Sequence, residues 1–482
     1  MRKNLSHVSA VVSEAIRVMT LCKKHFYPAK SVKFYIFSLK KVYLCIKFNL
    51  IKMYRTKIKE LIDWKNQIDR KPLIVQGARQ VGKTWLIKEF GKTAFKKTVY
   101  INFEDTPELQ NMFLQDFNIR RIITVLEAFS GIQVVPEDTL IVFDEIQSAV
   151  KGVTSLKYFC ENAPEYHVVA SDSLLGMNLH NQVSFPVGKV NFLFLYPLSF
   201  YEFLLAVGEN GLASILSEKN WDVLPAFTEK FKEYLRYYFY VGGMPEVVRF
   251  FAQSRDFNKV RQIQQDILFT YENDFSKHAP YQIVPRLNMV WQSIPAQLGK
   301  ENKKFVYGVL REGARAKDYE LAIQWLVDSG LLLKCNRISK PNIPLIAYHD
   351  ISAFKLYFND VGLLSAKSSL DVKTLINKNN IFTEYKGSLT EQFVIQQFYT
   401  MKNLPVYYWT NDRSTAKVDF VIQNEGDIIP VEVKATENLK AKSFQQFCEK
   451  YKPQTAIRTS LSSYRKESWM TNVPLYIIGN YF

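Results

Sequence analysis

PLIVQGARQVGKTWLIKEF, residues 72–90, begins with the apolar run Pro72–Val75, turns through Gly77-Ala78-Arg79-Gln80-Val81-Gly82 and continues from Lys83-Thr84 in a helical pattern. The spacing is G-x-x-x-x-G-K-[ST], in the strand–loop–helix setting that gives it meaning. Glycines let backbone N–H groups approach phosphate oxygens, and the helix N-terminus adds positive potential. In this pattern Lys83 reaches the β- and γ-phosphates of ATP and the Thr84 hydroxyl ligates Mg²⁺. Gly77, Ala78, Arg79, Gln80, Val81, Gly82, Lys83 and Thr84 are therefore the candidate nucleotide-binding residues.

TLIVFDEIQ (139–147) reads as a second buried strand ending in Asp144-Glu145, with Asp144 sixty-one residues beyond Lys83. Asp144 is expected to hold the Mg²⁺ through water, and Glu145 to polarise the attacking water. A solvated acidic loop is the plainer reading of such a pair, but the distance from the loop at Gly77 favours hydrolysis. YHVVA (166–170) leads to Ser171-Asp172-Ser173, and TVYIN (98–102) and residues 190–194 complete a set of five strands. Alternating with helices, these predict an α/β fold built on a doubly wound parallel sheet.

A second pattern lies near the other end of the chain. KVDFVIQNEGDIIPVEVK (417–434) is two alternating strands around a tight turn at Glu425-Gly426. Facing residues then sum to 851, which sets Asp419 opposite Glu432, with Lys434 on the same face. Two carboxylates and an ammonium group make either a metal site or a salt-bridged sheet surface.

Composition narrows the field. A 47% hydrophobic share supports real cores in a 482-residue chain, so several domains are expected. The five cysteines (Cys22, Cys45, Cys160, Cys335, Cys448) form no C-x-x-C pair, which excludes a zinc or disulfide scaffold and suits the reducing cytoplasm. Of the net charge of +17, residues 1–52 carry +10, so the remainder does not force nucleic-acid binding. The apolar text of 31–53 is interrupted by Lys33, Lys40, Lys41, Lys47 and Lys52, too often for a membrane span. The change of text at Met53 suggests that 1–52 is an upstream in-frame extension; a basic arm is the alternative. VNFLFLYPLSFYEFLLAV (190–207) is broken by Pro197 and by a capping box, Ser199-x-x-Glu202, so a strand, a turn and a helix are expected there and no membrane partner.

With GARQVGKTW, LIVFDEIQ, SLKYFCENAPEYHVVASDSLLG, SFPVGKV, YPLSFYEFL, YVGGMPEVV, FKLYFNDVGLL and VDFVI…IIPVEVK in view, the chain resembles a family of prokaryotic AAA-type P-loop ATPases with a C-terminal domain of unknown function. The resemblance runs from about Met53, where members usually begin, to the C-terminus. It implies an ATPase core at 53–205, a helical lid at 206–280 carrying Gly242-Gly243-Met244-Pro245, a winged-helix-like region at 281–366, and a nuclease-like domain of the PD-(D/E)xK type at 367–482. Two departures stand out. Asp172 lies where relatives usually have glycine, beside the serines expected to sense the γ-phosphate, and Lys417 lies where an acidic residue is common.

The nuclease reading of the hairpin needs carboxylates for Mg²⁺ and a lysine to orient water. Asp419, Glu432 and Lys434 supply these types. Relatives add a glutamate from a preceding helix, which here is Glu391 of KGSLTEQFVIQQF; Ser388-x-x-Glu391 is also a capping box. In the winged-helix-like region, Lys300, Lys303, Lys304, Arg311, Arg315 and Lys317 suit phosphate contact, while Asp318 and Glu320 oppose it. Arg311 or Arg315 is a candidate arginine finger. The expected function is Mg²⁺-dependent ATP hydrolysis coupled to nucleic-acid processing. The alternative is an ATP-driven signalling or scaffolding switch whose C-terminal fold binds a partner without catalysis. DNA or RNA, a protein partner and a second copy of the chain are the partners left open. A helicase fits less well, because accessory helicase motifs are not apparent.

Overall fold

The computed structural model describes residues 53–173, 186–300, 303–373, 386–402, 404–411, 416–435 and 442–482. The reading of 1–52 as an extension lies outside these residues.

The first unit comprises α1 (Lys57–Lys65), β1 (Leu73–Gly77), α2 (Lys83–Ala94), β2 (Lys97–Asn102), α3 (Ile119–Ser130), β3 (Thr139–Asp144), α4 (Gly152–Asn162), β4 (His167–Ser173) and β5 (Asn191–Phe194). Its strands form one parallel sheet in the order β2-β3-β4-β1-β5. Both β1 and β3 are buried along their whole length, as expected of a strand covered on two faces. Successive side chains alternate between those faces. Val75, Leu140, Val142 and Val169 pack with Leu86, Ile87 and Phe90 of α2. Ile74, Ile141, Phe143 and Val168 pack with Ile122, Leu126, Leu156 and Phe159 of α3 and α4. The doubly wound sheet expected from the sequence is therefore present.

The apolar run after β5 turns into α5 (Phe200–Ala206), and the capping box at Ser199 and Glu202 forms in full. Glu202 also accepts from the Thr56 backbone at 2.6 Å and faces Arg55, which fastens the entry segment to the core. Among the described residues, no helix is long and apolar enough to cross a membrane. Next come α6 (Asn210–Ser217), α7 (Leu224–Val241), α8 (Pro245–Ser254), α9 (Phe257–His278), α10 (Val284–Leu298) and α11 (Ala316–Asp328). At the α7–α8 corner a Cβ on Gly243 would lie 2.2 Å from the Leu198 carbonyl oxygen, so only glycine fits.

The remaining strands and α-helices are β6 (Leu332–Ile338), β7 (His349–Phe358), α12 (Val361–Lys367), α13 (Lys386–Thr400), β8 (Val406–Thr410), β9 (Lys417–Asn424), β10 (Asp427–Val433), α14 (Lys442–Tyr451), β11 (Ile457–Ser460), β12 (Arg465–Lys466), β13 (Thr471–Pro474) and α15 (Ile478–Tyr481). Their strands make a second, mixed sheet in the order β12-β13-β11-β10-β9-β8-β6-β7. The hairpin β6–β7 lies within 281–366, yet β6 pairs in parallel with β8 (Asn336↔Tyr407), so strands from either side of residue 366 share one sheet. The β9–β10 hairpin turns at Glu425 (φ 46°) and Gly426 (φ 90°), the double positive φ of a type I′ turn. Its pairs run from Asp427↔Asn424 to Val431↔Phe420, the register inferred from the sequence.

Helix α13 joins the units. Its glutamines are buried and each holds backbone groups of another element. Gln392 bonds the Phe358 N–H and carbonyl at 2.9 and 2.6 Å, Gln396 accepts from the Val361 N–H at 2.8 Å, and Gln397 from the Phe200 N–H at 2.9 Å.

Candidate functional site

The loop after β1 is shaped by close backbone packing. A Cβ at Gly77 would stand 2.3 Å from the Leu195 carbonyl oxygen, and Gly82 caps α2 with φ 92°. Lys83 folds back so that its Nζ donates to the carbonyls of Gly77 (2.9 Å) and Ala78 (3.1 Å). Burial lowers the pKa of this ammonium group, while Glu145, Asp172 and Asp144 oppose that shift. The Thr84 hydroxyl donates to Asp144 Oδ2 at 3.0 Å. Asp144 also accepts from the hydroxyls of Tyr100 and Ser171. Glu145, at φ 51°, donates its N–H to Ser171 Oγ at 3.2 Å, and its carboxylate accepts from Gln147 Nε2 at 2.6 Å. Lys83, Thr84, Asp144 and Glu145 thus meet at the C-terminal end of the parallel sheet. Thr84 and Asp144 present hard oxygen ligands at one point, a donor set that fits Mg²⁺.

The other loop residues have neighbours the sequence did not disclose. Arg79 Nη1 is 2.6 Å from Asp274 Oδ1, and the Arg79 carbonyl accepts from the Tyr271 hydroxyl at 2.7 Å. Both partners lie on α9. A Cβ on Gly82 would sit 3.3 Å from Pro245, the first residue of α8. The nucleotide loop is therefore covered by α8 and α9. Tyr100 and the α9 pair carry no local signal, because each contact spans a long stretch of chain. Asp172 was visible as a departure from the family pattern, and it lies fully buried beside this group.

At the second sheet, Asp419 and Glu432 are buried neighbours: the Val433 N–H donates to Asp419 Oδ2 at 2.9 Å, and Lys434 Nζ is 2.7 Å from Glu432 Oε1. Burial first, and Asp419 second, push the Glu432 carboxyl up to about 8. Glu391 faces this cluster from α13, and three groups claim it. Lys303 is ion-paired to Oε1, Lys355 of β7 lies 3.3 Å from Oε2, and the Tyr357 hydroxyl donates to Oε2 at 3.0 Å. Burial alone would raise the Glu391 carboxyl; Lys303 and Lys355 instead hold it down at about 2. Lys303, read from sequence as a phosphate contact, is thus buried on Glu391. The capping box at Ser388 does not form, because α13 already runs from Lys386 and the Ser388 hydroxyl donates to the Leu298 carbonyl at 2.6 Å.

Lys303, Lys355, Lys417 and Lys434 thus act on the carboxylates of this cluster. Among the described residues, no group of three or more His, Cys, Asp or Glu side chains is placed to hold a metal ion. Asp419 and Glu432, the pair expected from the sequence to hold a metal ion, are thus neighbours in the fold, with Lys434 on Glu432 and Lys303 and Lys355 on Glu391.

Three family models match parts of the chain. Residues 69–204 match the model of an AAA domain, 232–374 a domain of unknown function (DUF8612), and 386–478 another (DUF4143). No curated protein matches the chain in sequence. Similar solved structures include a Walker-type ATPase of Pyrococcus abyssi, at 11% identity over 66% of this chain and 96% of that one, with TM-score 0.42. The Orc1 protein of Aeropyrum pernix in complex with DNA matches at 10% identity over 66% and 94%, with TM-score 0.27. Cdc6p of Pyrobaculum aerophilum matches at 11% over 68% and 97%, with TM-score 0.25.

Proposed function

We propose that this chain, whose residues 69–204 are an AAA-type P-loop ATPase domain, hydrolyses ATP at Gly77–Thr84 to move the helices covering that loop against the C-terminal sheet. The observation that carries this reading is the contact of Thr84 with Asp144, with Lys83 and Glu145 beside it. Backbone N–H groups of the loop and the α2 N-terminus bind the phosphates, and Lys83 leaves the Gly77 and Ala78 carbonyls for phosphate oxygens. Thr84 and Asp144 would hold Mg²⁺, which offsets phosphate charge when bound. Glu145, oriented by Gln147 and Ser171, takes a hydrogen bond from the attacking water and directs it at the terminal phosphorus. Any shift of the loop is felt by α9 through Arg79–Asp274 and Tyr271. From α9 it passes to α12, where Lys367 reaches Glu272 at 2.5 Å.

The test is ATP turnover by the full chain beside Lys83→Ala and Glu145→Gln. Loss of turnover in both, with nucleotide binding kept in Glu145→Gln, is the expected result; unchanged turnover in Lys83→Ala overturns the reading.

A second reading, metal-dependent cleavage of DNA or RNA at Asp419, Glu432 and Lys434, is favoured by the β9–β10 register and the Lys434–Glu432 pair. Against it stand the lysines on Glu391, which favour the switch, with a C-terminal fold that binds a partner. Divalent-metal-dependent cleavage that disappears in Glu432→Ala would reverse this order.

A further inference from the structure

We infer that Tyr271 and Asp274 of α9 are positioning residues for the nucleotide loop. They hold Arg79, and through it the left-handed Gln80, so that phosphate meets a loop already in its binding shape. This rests on the ATP-binding reading above and adds to it the part of the chain that sets nucleotide affinity.

The loop needs holding at one place. Gln80 has φ 66° and Gly82 φ 92°, while Arg79 and Val81 do not share the positive sign. Such alternation turns successive backbone N–H groups toward one side and makes a concavity for anions. Among the described residues, no backbone carbonyl takes the N–H of Gln80, Val81 or Gly82. Glycine enters the left-handed region freely. Gln80 does not, because its Cβ crowds the following carbonyl oxygen, and its exposed side chain is not one of the short ones that bond locally there. A residue in that region persists only where its surroundings over-determine it.

Those surroundings are on α9. The Tyr271 hydroxyl donates to the Arg79 carbonyl at 2.7 Å, and Asp274 Oδ1 takes Arg79 Nη1 at 2.6 Å. The two α9 residues are three apart, so they share one helix face, and both are buried. Arg79 is thereby fixed at its backbone and at its side chain. Its carbonyl belongs to the peptide unit that also carries the Gln80 N–H, and in a trans unit the two point opposite ways. Tyr271 therefore directs that N–H away from α9. Rotation of the same unit about the Gln80 N–Cα bond is φ itself, so the hydroxyl restrains the strained torsion directly. Helix α9 is in turn tied to later elements. Tyr271 packs edge-on against Trp291 of α10, and Glu272 faces Trp291 and Lys367 of α12. Displacing α9 releases Gln80, and by reciprocity nucleotide binding steadies α9.

The experiment is a double-mutant cycle on the full chain, read as calorimetric affinity for a non-hydrolysable ATP analogue and for ADP, each with Mg²⁺. Wild type, Tyr271→Phe, Gln80→Gly and the double variant are compared. Tyr271→Phe should bind both nucleotides roughly three- to tenfold more weakly, the loss of one hydrogen bond. In the Gln80→Gly background glycine takes the left-handed conformation without strain, so the same substitution should cost less than about twofold. Asp274→Ala releases the Arg79 side chain alone. It should show the same dependence on Gln80, and it carries the test where Tyr271→Phe does not fold. A merely structural role for Tyr271 predicts an equal loss in both backgrounds. That result, or unchanged affinity in Tyr271→Phe, overturns the inference. Absence of nucleotide binding by wild type would instead overturn the ATP reading, and this inference with it.

Discussion

Replacing Glu391 by glutamine keeps the size of the side chain and an acceptor for Tyr357, but removes the counter-ion shared by two buried ammonium groups, leaving Lys303 without its ion pair and Lys355 with Asp419 alone. The magnitude follows by two routes. The carboxyl is held at about 2 against an ordinary 4.5, and at about 1.4 kcal/mol per pH unit the pairing contributes on the order of 3 kcal/mol at neutral pH. Removing one member of a buried pair typically costs about 3–5 kcal/mol. The routes agree, so Glu391→Gln should destabilise the C-terminal sheet by about 3–4 kcal/mol. Native-state hydrogen exchange at α13 and β7 is the suitable assay, because it reads this region apart from the ATPase core. Protection there should fall by roughly a hundredfold or more. The sign with pH is fixed as well. A depressed carboxyl gives stability that is present above its unfolded value and lost as pH falls through its folded value, so wild-type protection should erode between 4.5 and about 2. Replacing Glu391 by leucine together with Lys303→Met and Lys355→Met should cost less than Glu391→Gln, since it removes the buried charges instead of stranding them. A loss under about 1 kcal/mol in Glu391→Gln would refute the reasoning, for it would mean that the lysines find water or another acid.

Three further outcomes are expected. Lys83→Ala should lower ATP turnover at least about a hundredfold while leaving the melting temperature nearly unchanged, measured by phosphate release and calorimetry. Gly243→Ala places a Cβ 2.2 Å from the Leu198 carbonyl oxygen, where backbone has to move, and should destabilise by about 3 kcal/mol or more in thermal unfolding. Asp360→Ala removes the acceptor for the Gly243 and Leu363 N–H groups and for Gln396; with several buried donors left unpaired, urea unfolding should register a loss of roughly 2–4 kcal/mol.

What the sequence discloses is local. The strands β1 and β3 are legible because strands buried on both faces write themselves as unbroken apolar runs. The nucleotide loop is legible because phosphate binding restricts glycine spacing, and the β9–β10 register because a two-residue turn fixes which side chains face each other. The Glu391 environment is not local. Its partners arrive from the segment between α10 and α11 and from β7, far back in the chain, and no periodicity of α13 announces them. The same holds for Gln392, Gln396 and Gln397, which look like a solvated helix face yet bond backbone groups of other elements. The capping-box pattern at Ser388 misleads for a related reason: the same four residues suit a helix start or the interior of one that has already begun. Asp172 lies between these cases. Its residue type was conspicuous, but its two unpartnered oxygens are visible only once β1, α2 and β3 close around it.

The shared second sheet has a consequence for how the chain is made. All five strands of the first sheet lie between Leu73 and Phe194, so that core can close early in synthesis. Strand β6 finds β7 soon after it is made, but its other edge waits for Tyr407–Trp409. Until then an unpaired row of backbone N–H and carbonyl groups stands open beside finished structure. A product that stops between Phe358 and Val406 would carry that sticky edge permanently, so truncation there should yield an aggregating species rather than a smaller working ATPase.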